Sequence, residues 1–344
     1  MKDLKISKIM KKLVNLNNAL LTKSVLKNLA QNNVTTILNF LQHDIEKLSM
    51  LTKLNLSEIL EIRNDIYKKF AAPVIDGPSL IERYLNKKRY LNTGIDSLNA
   101  VLDGGLPIGY ITEICGLAGS GKTQLCYQLA INCSKITGQN ILYIDTKGDF
   151  SSIRLQKILE NIGYSHQEMA RNLIRIKVVH IWTMEEIINF LKKLKDRTLV
   201  IEKLALIIID SLPCLMLQHF GDENQIGLTY LNIFVNYCRF ICKHYELGIV
   251  CVNIQTRWVE QDTLHVLEEE DETKQISYVE KHNRGLGKYW QQIPAVVLLM
   301  KQIDLEQNIS NDNSSFFVKL SMIRCNKIKL GQQCTLKIDS SGVN

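Results

Sequence analysis

The chain has 344 residues, 46% of them hydrophobic and 22% charged, with a formal net charge of +7. These are ordinary values for a globular protein and leave room for one large domain and a small one. No apolar run approaches the roughly 20 residues needed to span a bilayer, and MKDLKISKIMKK at 1–12 lacks the apolar core and cleavage site of a signal peptide, so neither a membrane nor a secreted role is expected.

Nine cysteines include no CxxC pair. Cys238 and Cys242 share one face of an expected helix, but no further ligands complete a zinc site. They read as small buried hydrophobes in a reducing compartment, the cytosol or nucleus. Asn308 and Asn313 open glycosylation sequons that such a compartment would not use. Residues 1–70 hold twelve Lys/Arg against six Asp/Glu, so a surplus of six of the net seven charges is N-terminal. Two readings stay open for it: contact with nucleic acid, or a solvated helical surface.

Residues 1–70 read as a small all-helical domain. Leu26, Leu29 and Ala30 share a face, Asn32 and Asn33 break it, and Thr35 or Thr36 caps a short helix to Leu41. Asp44 opens another. Ser57 is the expected cap of a longer helix ending near Phe70; Leu60 stands three residues on, so no capping box is expected there. Residues 71–90 read as a linker, because Pro73, Gly77 and Pro78 interrupt a helix and Lys87, Lys88 and Arg89 make the stretch basic.

From 91 to 344 apolar strands alternate with helices. Strands are expected at 140–145, 174–180, 203–210, 248–254, 296–300, 316–323 and 334–338. Helices are expected at 151–162, 183–195 and 226–245. Such alternation implies an α/β fold with a mainly parallel sheet covered on both faces, and ligands at the carboxyl ends of its strands.

The stretch YITEICGLAGSGKTQLCYQLA at 110–130 reads as strand, glycine-rich loop and helix. Gly116, Leu117, Ala118, Gly119, Ser120, Gly121, Lys122 and Thr123 fit G-x-x-x-x-G-K-[ST], the phosphate-binding loop. The glycines let backbone N–H groups close around phosphate oxygens, and the helix that begins near Lys122, with Gln124 in its first turn, adds its positive end. Lys122 is expected to reach the β- and γ-phosphates, and Thr123 to place its hydroxyl on Mg²⁺. Asp210, at the end of the aliphatic run Leu206–Ile209, is the candidate second metal ligand, with the Ser211 hydroxyl beside it.

The domain resembles the RecA-type recombinases. The resemblance rests on LNTGIDSLNAVLDGGLPIGYITEICGLAGSGKTQ at 91–124, YIDTKGDF at 143–150 and IIIDS at 207–211. It extends over most of the chain. Within the family it is most similar to the Rad51 paralogues, and to their D branch through LNTGIDSL at 91–98, IRIKVVHIW at 174–182 and LGKYWQQIP at 286–294. The resemblance implies a RecA-like P-loop core that binds ATP and Mg²⁺. It also implies a nuclear role in homologous-recombination repair, with single-stranded DNA and other paralogues as partners in a hetero-oligomer.

Three departures qualify it. Active family members carry a glutamate after the YIDT strand, where it orients the attacking water; here Lys147 stands there. A protonated lysine cannot serve as that base, and losing a positioned base typically costs roughly 10²- to 10⁴-fold in rate. Firm ATP binding with slow hydrolysis is therefore expected. Asp149 is the alternative base, and Lys147 leaning on the γ-phosphate or pointing to solvent are further alternatives. Next, the polar sensor expected directly after Asn253 is replaced by Ile254, with Gln255 one place late. This predicts weaker nucleotide–DNA coupling or simply a buried strand end. Finally, the stretch 258–288, expected as a DNA-binding loop, carries acidic Glu268–Glu272, offset by His282, Arg284, Lys288, Tyr289 and Trp290. The expectation is weak or partner-assisted DNA binding, against a plain surface loop with Trp290 packed at a strand start. The competing functions are a DNA-stimulated ATPase performing strand exchange itself, and an interaction scaffold with a vestigial site.

Overall fold

The computed structural model describes residues 13, 16, 18–70, 76–85, 89–219, 225–261, 278–303, 315–325 and 331–344. Two compact units emerge, Met1–Lys87 and Lys88–Asn344.

The first unit is helical: α1 (Lys23–Gln31), α2 (Ile37–Gln42), α3 (Ile45–Thr52), α4 (Leu56–Phe70) and α5 (Gly77–Leu85). Leu29, Ile37, Phe40, Leu48, Ile59 and Ile62 make its core. Thr22 and Thr36 cap α1 and α2 through their hydroxyls. The cap of α4 is not Ser57. Asn55 Oδ1 accepts from Glu58 N and Glu58 Oε2 accepts from Asn55 N, each at 2.8 Å. This reciprocal pair satisfies two N–H groups at the helix start, which a cap at Ser57 with Leu60 three residues on would not do. Helix α5 lies inside the expected linker. Pro78 falls in its first turn, where the missing N–H would have had no intrahelical partner, and Asp76 accepts from Ser79 N at 2.8 Å and from Ser79 Oγ at 2.9 Å. Pro73 lies outside the described residues.

In the second unit the two-residue strands β1 (Tyr90–Leu91) and β2 (Leu106–Pro107) pair antiparallel around α6 (Asp96–Val101). The main run follows: β3 (Ile111–Gly116), α7 (Lys122–Thr137), β4 (Asn140–Asp145), α8 (Ser152–Asn161), α9 (His166–Leu173), β5 (Ile176–His180), α10 (Met184–Lys195), β6 (Leu204–Asp210), α11 (Leu212–Met216), α12 (Gln225–Tyr245) and β7 (Gly248–Val252). After it come β8 (Gln255–Gln261), β9 (Tyr278–Arg284), α13 (Gly287–Gln291), β10 (Val296–Ile303), β11 (Phe316–Cys325), β12 (Gln333–Asp339) and β13 (Gly342–Val343).

The nine-stranded sheet has the order β13-β12-β11-β10-β3-β7-β6-β4-β5. From β10 through β5 neighbouring strands are parallel, and β10 through β13 pair antiparallel. Side-chain alternation divides the strands between two cores. Ile141, Leu206, Ile208 and Val250 pack with Leu125 and Leu129 of α7. Leu142, Ile207, Ile209 and Ile249 pack with Leu191 of α10 and Phe234 of α12 on the other face.

Helix α9 was not expected. Ser165 Oγ accepts from Glu168 N while Glu168 Oε2 accepts from Ser165 N, a capping box that starts the helix. It delays β5 to Ile176. The stretch expected as a DNA-binding loop carries strand pairing: β8 and β9 form a separate antiparallel hairpin in which Gln255 faces Arg284. Residues 262–277, with acidic Glu268–Glu272, lie outside the described residues, as do Asn308 and Asn313. Among the described residues no helix is long and apolar enough to cross a membrane. The nine cysteines are free, and Cys238 and Cys242 are buried on α12. Burial pushes the Cys115 thiol up to about 12.

Candidate functional site

The site collects at the carboxyl ends of β3, β4 and β6, whose final residues are Gly116, Asp145 and Asp210. Asp145 and Asp210 are register partners. Leu117–Gly121 makes the loop, and Lys122, Thr123 and Gln124 form the first turn of α7. Gly119 and Gly121 adopt φ of +77° and +85°, where a side chain would be strained. A Cβ on Gly121 would also lie 2.3 Å from Ile338 Cδ1, whereas one on Gly119 would meet nothing within 4 Å. The loop is thus packed from behind by β12 and open at Gly119. Gly116 answers a different demand: its Cβ would lie 2.4 Å from the Met300 carbonyl of β10.

Lys122 Nζ donates to the Gly116 carbonyl at 2.9 Å, the Leu117 carbonyl at 2.6 Å and Ser120 Oγ at 3.3 Å, so the ammonium is tucked into the loop. Burial, and after it the Lys147 charge, lowers its pKa. Gln124 turns away: its Oε1 accepts from Arg154 Nε at 2.8 Å, and the same guanidinium donates to the carbonyls of Asp339 and Ser340. This ties the first turn of α7 to the C-terminal strands.

Thr123 and Asp210, 87 residues apart, meet directly. Thr123 Oγ1 donates to Asp210 Oδ2 at 2.7 Å, and Tyr143 OH donates to the same oxygen at 2.9 Å. The Lys147 ammonium lies 3.1 Å from Asp210 Oδ1 and 3.9 Å from Asp149 Oδ2. Burial works against the Lys147 charge, but Asp210 outweighs it and the pKa is raised. Lys147 therefore points into the site and not to solvent. The Asp149 side chain is 68% exposed. Ser211 keeps its hydroxyl on Cys214 Sγ at 3.2 Å. A hydroxyl beside a buried carboxylate, at an open glycine loop, suits Mg²⁺, which takes one or two protein oxygens and fills its shell with phosphate and water. The ammonium already on Asp210 is the unusual element.

Asp145 holds the turn that presents Lys147. Its Oδ1 accepts from Lys147 N and Gly148 N, and its Oδ2 from Phe150 N, each at 3.0 Å. Tyr127 of α7 secures the next residues, donating to the Asp149 carbonyl at 3.0 Å and accepting from Ser151 N at 2.9 Å. Burial pushes the Asp145 pKa up, but the backbone N–H groups outweigh it and hold it below the ordinary 3.8. Asp145→Asn turns an amide NH₂ toward one set of these donors and should cost ~1–3 kcal/mol at pH 7. A depressed carboxylate stabilises above its unfolded pKa and loses that contribution as pH falls through the folded one. Urea titrations should therefore show the difference from wild type complete above about pH 4 and shrinking below it.

A second buried carboxylate was not anticipated. Glu113, 0% exposed in the middle of β3, accepts from Asn253 Nδ2 at 2.8 Å, Arg284 NH1 at 3.1 Å and Trp290 Nε1 at 3.2 Å. Burial raises its pKa, with Asn253 and Arg284 pulling it back. A lone Glu inside ITEIC was the available signal, since a strand buried on both faces keeps a carboxylate only with partners. The cluster bears on the two readings of the 258–288 stretch, and the burial of Trp290 agrees with the one that packs it. Arg284 is committed to Glu113, Trp290 is buried, and Tyr289 OH donates to Asn232 at 3.1 Å. His282 and Lys288 remain exposed. Asn253 also donates to the Gly285 carbonyl at 3.1 Å, fixing the base of the hairpin.

The Rad51 family profile matches residues 86–277, more than half of the chain. This chain belongs to the Rad51 family. Among its relatives, the DNA repair protein RAD51 homolog 4 of Mus musculus is 27% identical over 69% of this chain and 74% of the relative. The protein of the same name from Bos taurus is 24% identical over 94% of this chain and 93% of the relative. Homolog 4 is the D paralogue, so these Rad51 relatives bear out the resemblance read from residues 91–98, 174–182 and 286–294. A crystal structure of the RadB recombinase superposes with a TM-score of 0.55 at 19% identity, over 74% of this chain and 98% of that one. It shows the shared RecA-like fold of this Rad51-family protein.

Proposed function

We propose that this Rad51-family protein is an ATP-binding paralogue acting in the nucleus in homologous-recombination repair, inside a hetero-oligomer with other paralogues. It would assist recombinase assembly on single-stranded DNA and hydrolyse ATP weakly. The 2.7 Å contact between Thr123 and Asp210 beside a loop-seated Lys122 carries the nucleotide part of this reading. The names of the relatives, DNA repair proteins, support the pathway. Gly116–Thr123 would hold the phosphates, and Thr123 and Asp210 any Mg²⁺ bound with them, whose charge would add to that of the lysines. A nucleotide that binds only the assembled form favours assembly by mass action. DNA contact would be weak or partner-assisted, because Arg284 and Trp290 are committed to Glu113.

The test is ATP binding and turnover by the purified protein, with and without single-stranded DNA. Firm binding with almost no turnover is the expected result. Brisk DNA-stimulated turnover would instead make it a strand-exchange enzyme. Lys122→Ala removes a charged hydrogen-bond donor and should weaken ATP about 10- to 100-fold, and weaken partner assembly with it. Unchanged partner binding and repair in that variant would point to a scaffold with a vestigial site.

A further inference from the structure

We infer that the Lys147 ammonium is a tethered counter-cation for the phosphates of a nucleoside triphosphate, so that this site binds its nucleotide with little need of a divalent metal. The inference rests on the nucleotide reading above and concerns what neutralises the phosphates.

The two oxygens of Asp210 differ: Oδ2 is hydrogen-bonded, whereas among the described residues the buried Oδ1 accepts no hydrogen bond and has only the Lys147 ammonium beside it. Oδ2 accepts from Thr123 and Tyr143, and Oδ1 faces Lys147 at 3.1 Å. A metal ion ligated by Asp210 has to share that carboxylate with a positive charge or displace it. The ammonium is not a stray surface group. Its backbone is pinned on Asp145 and the next turn is clasped by Tyr127, while 30% of its side chain stays exposed. A flexible four-carbon stem on a fixed backbone can swing its head from one anion to another over a short distance.

Lys122 in the loop and Lys147 on the turn after β4 both bring a positive charge to this site, and like charges repel. A polyphosphate entering beside them relieves that repulsion, and transfer of Lys147 from Asp210 to phosphate exchanges one anion for another. Asp210 is then left with the Thr123 and Tyr143 hydroxyls. A site with an uncharged residue in place of Lys147 has only Lys122 to offset the triphosphate and gains more from a divalent ion.

The test is calorimetric titration of the full chain with ATP, in excess Mg²⁺ and again in excess EDTA. Wild-type affinity should fall less than about threefold on chelation, whereas Lys147→Gln should fall more than about tenfold, a difference of at least ~0.7 kcal/mol. Lys147→Arg, which keeps the charge, should behave like wild type. A wild type that loses more than about threefold in EDTA, or a Gln variant with the same magnesium ratio as wild type, overturns the inference and leaves the nucleotide reading intact. Absence of ATP binding in both buffers overturns both. If Lys147→Gln does not fold, the wild-type ratio decides.

Discussion

Glu113→Ala should destabilise the Lys88–Asn344 unit by about 3–5 kcal/mol, the cost of removing one partner from a buried charge cluster. The carboxylate is fully buried and receives Asn253, Arg284 and Trp290. Alanine leaves three buried donors without the oxygens they donate to. For a unit of this size the loss lowers the midpoint of thermal unfolding by on the order of 10 °C. Glu113→Gln separates charge from shape. Asn253 donates to one carboxylate oxygen while Arg284 and Trp290 donate to the other, so a single amide oxygen serves one side only and its NH₂ opposes the remaining donors. The Gln variant should fall between wild type and Ala. A melting midpoint unchanged in Glu113→Ala would mean that the cluster contributes nothing to stability. Because the same residues fix Gly285 and Arg284, the Ala variant should also raise amide hydrogen exchange at the base of the β8–β9 hairpin.

Lys147→Glu should raise ATP turnover by roughly 10²-fold or more, the range ascribed to a positioned general base. The backbone of residue 147 is held by Asp145 at the end of β4, and its side chain already enters the site. A carboxylate there takes the role that Lys147 cannot. It also faces Asp210 with like charge, so the gain should appear only at saturating Mg²⁺, which offsets that repulsion. Steady-state phosphate release against Mg²⁺ concentration measures both effects. A variant that turns over ATP no faster at any Mg²⁺ concentration sinks the missing-base explanation. Asp149 is a poor substitute base: its side chain is mostly exposed and its carboxylate is turned toward Lys147.

Much of this protein was determined by sequence alone, wherever the physics is local. A loop with glycines at 116, 119 and 121 before a Lys-Thr pair is a backbone requirement written in consecutive residues. The aliphatic run before Asp210 marks a strand buried on both faces, and apolar runs alternating with helical stretches assigned its neighbours to the sheet. The caps are equally local: Asn55 with Glu58 and Ser165 with Glu168 stand at i and i+3, the spacing of a capping box. An α/β fold with a phosphate-binding loop followed from these; its RecA-like form was what the resemblance implied, and the family match agrees with it.

Tertiary structure decided what depends on groups far apart in the chain. Lys147 reads in sequence as a missing base, and only the register of β4 against β6 brings its ammonium onto Asp210. In sequence Arg284 and Trp290 fit two readings, nucleic-acid ligands or a plain surface loop with Trp290 packed. Their partner is Glu113, 171 and 177 residues away, on a strand two places from β6. A charged side chain goes wherever an opposite charge relieves the cost of its burial, and that position is set by the order of strands across the sheet.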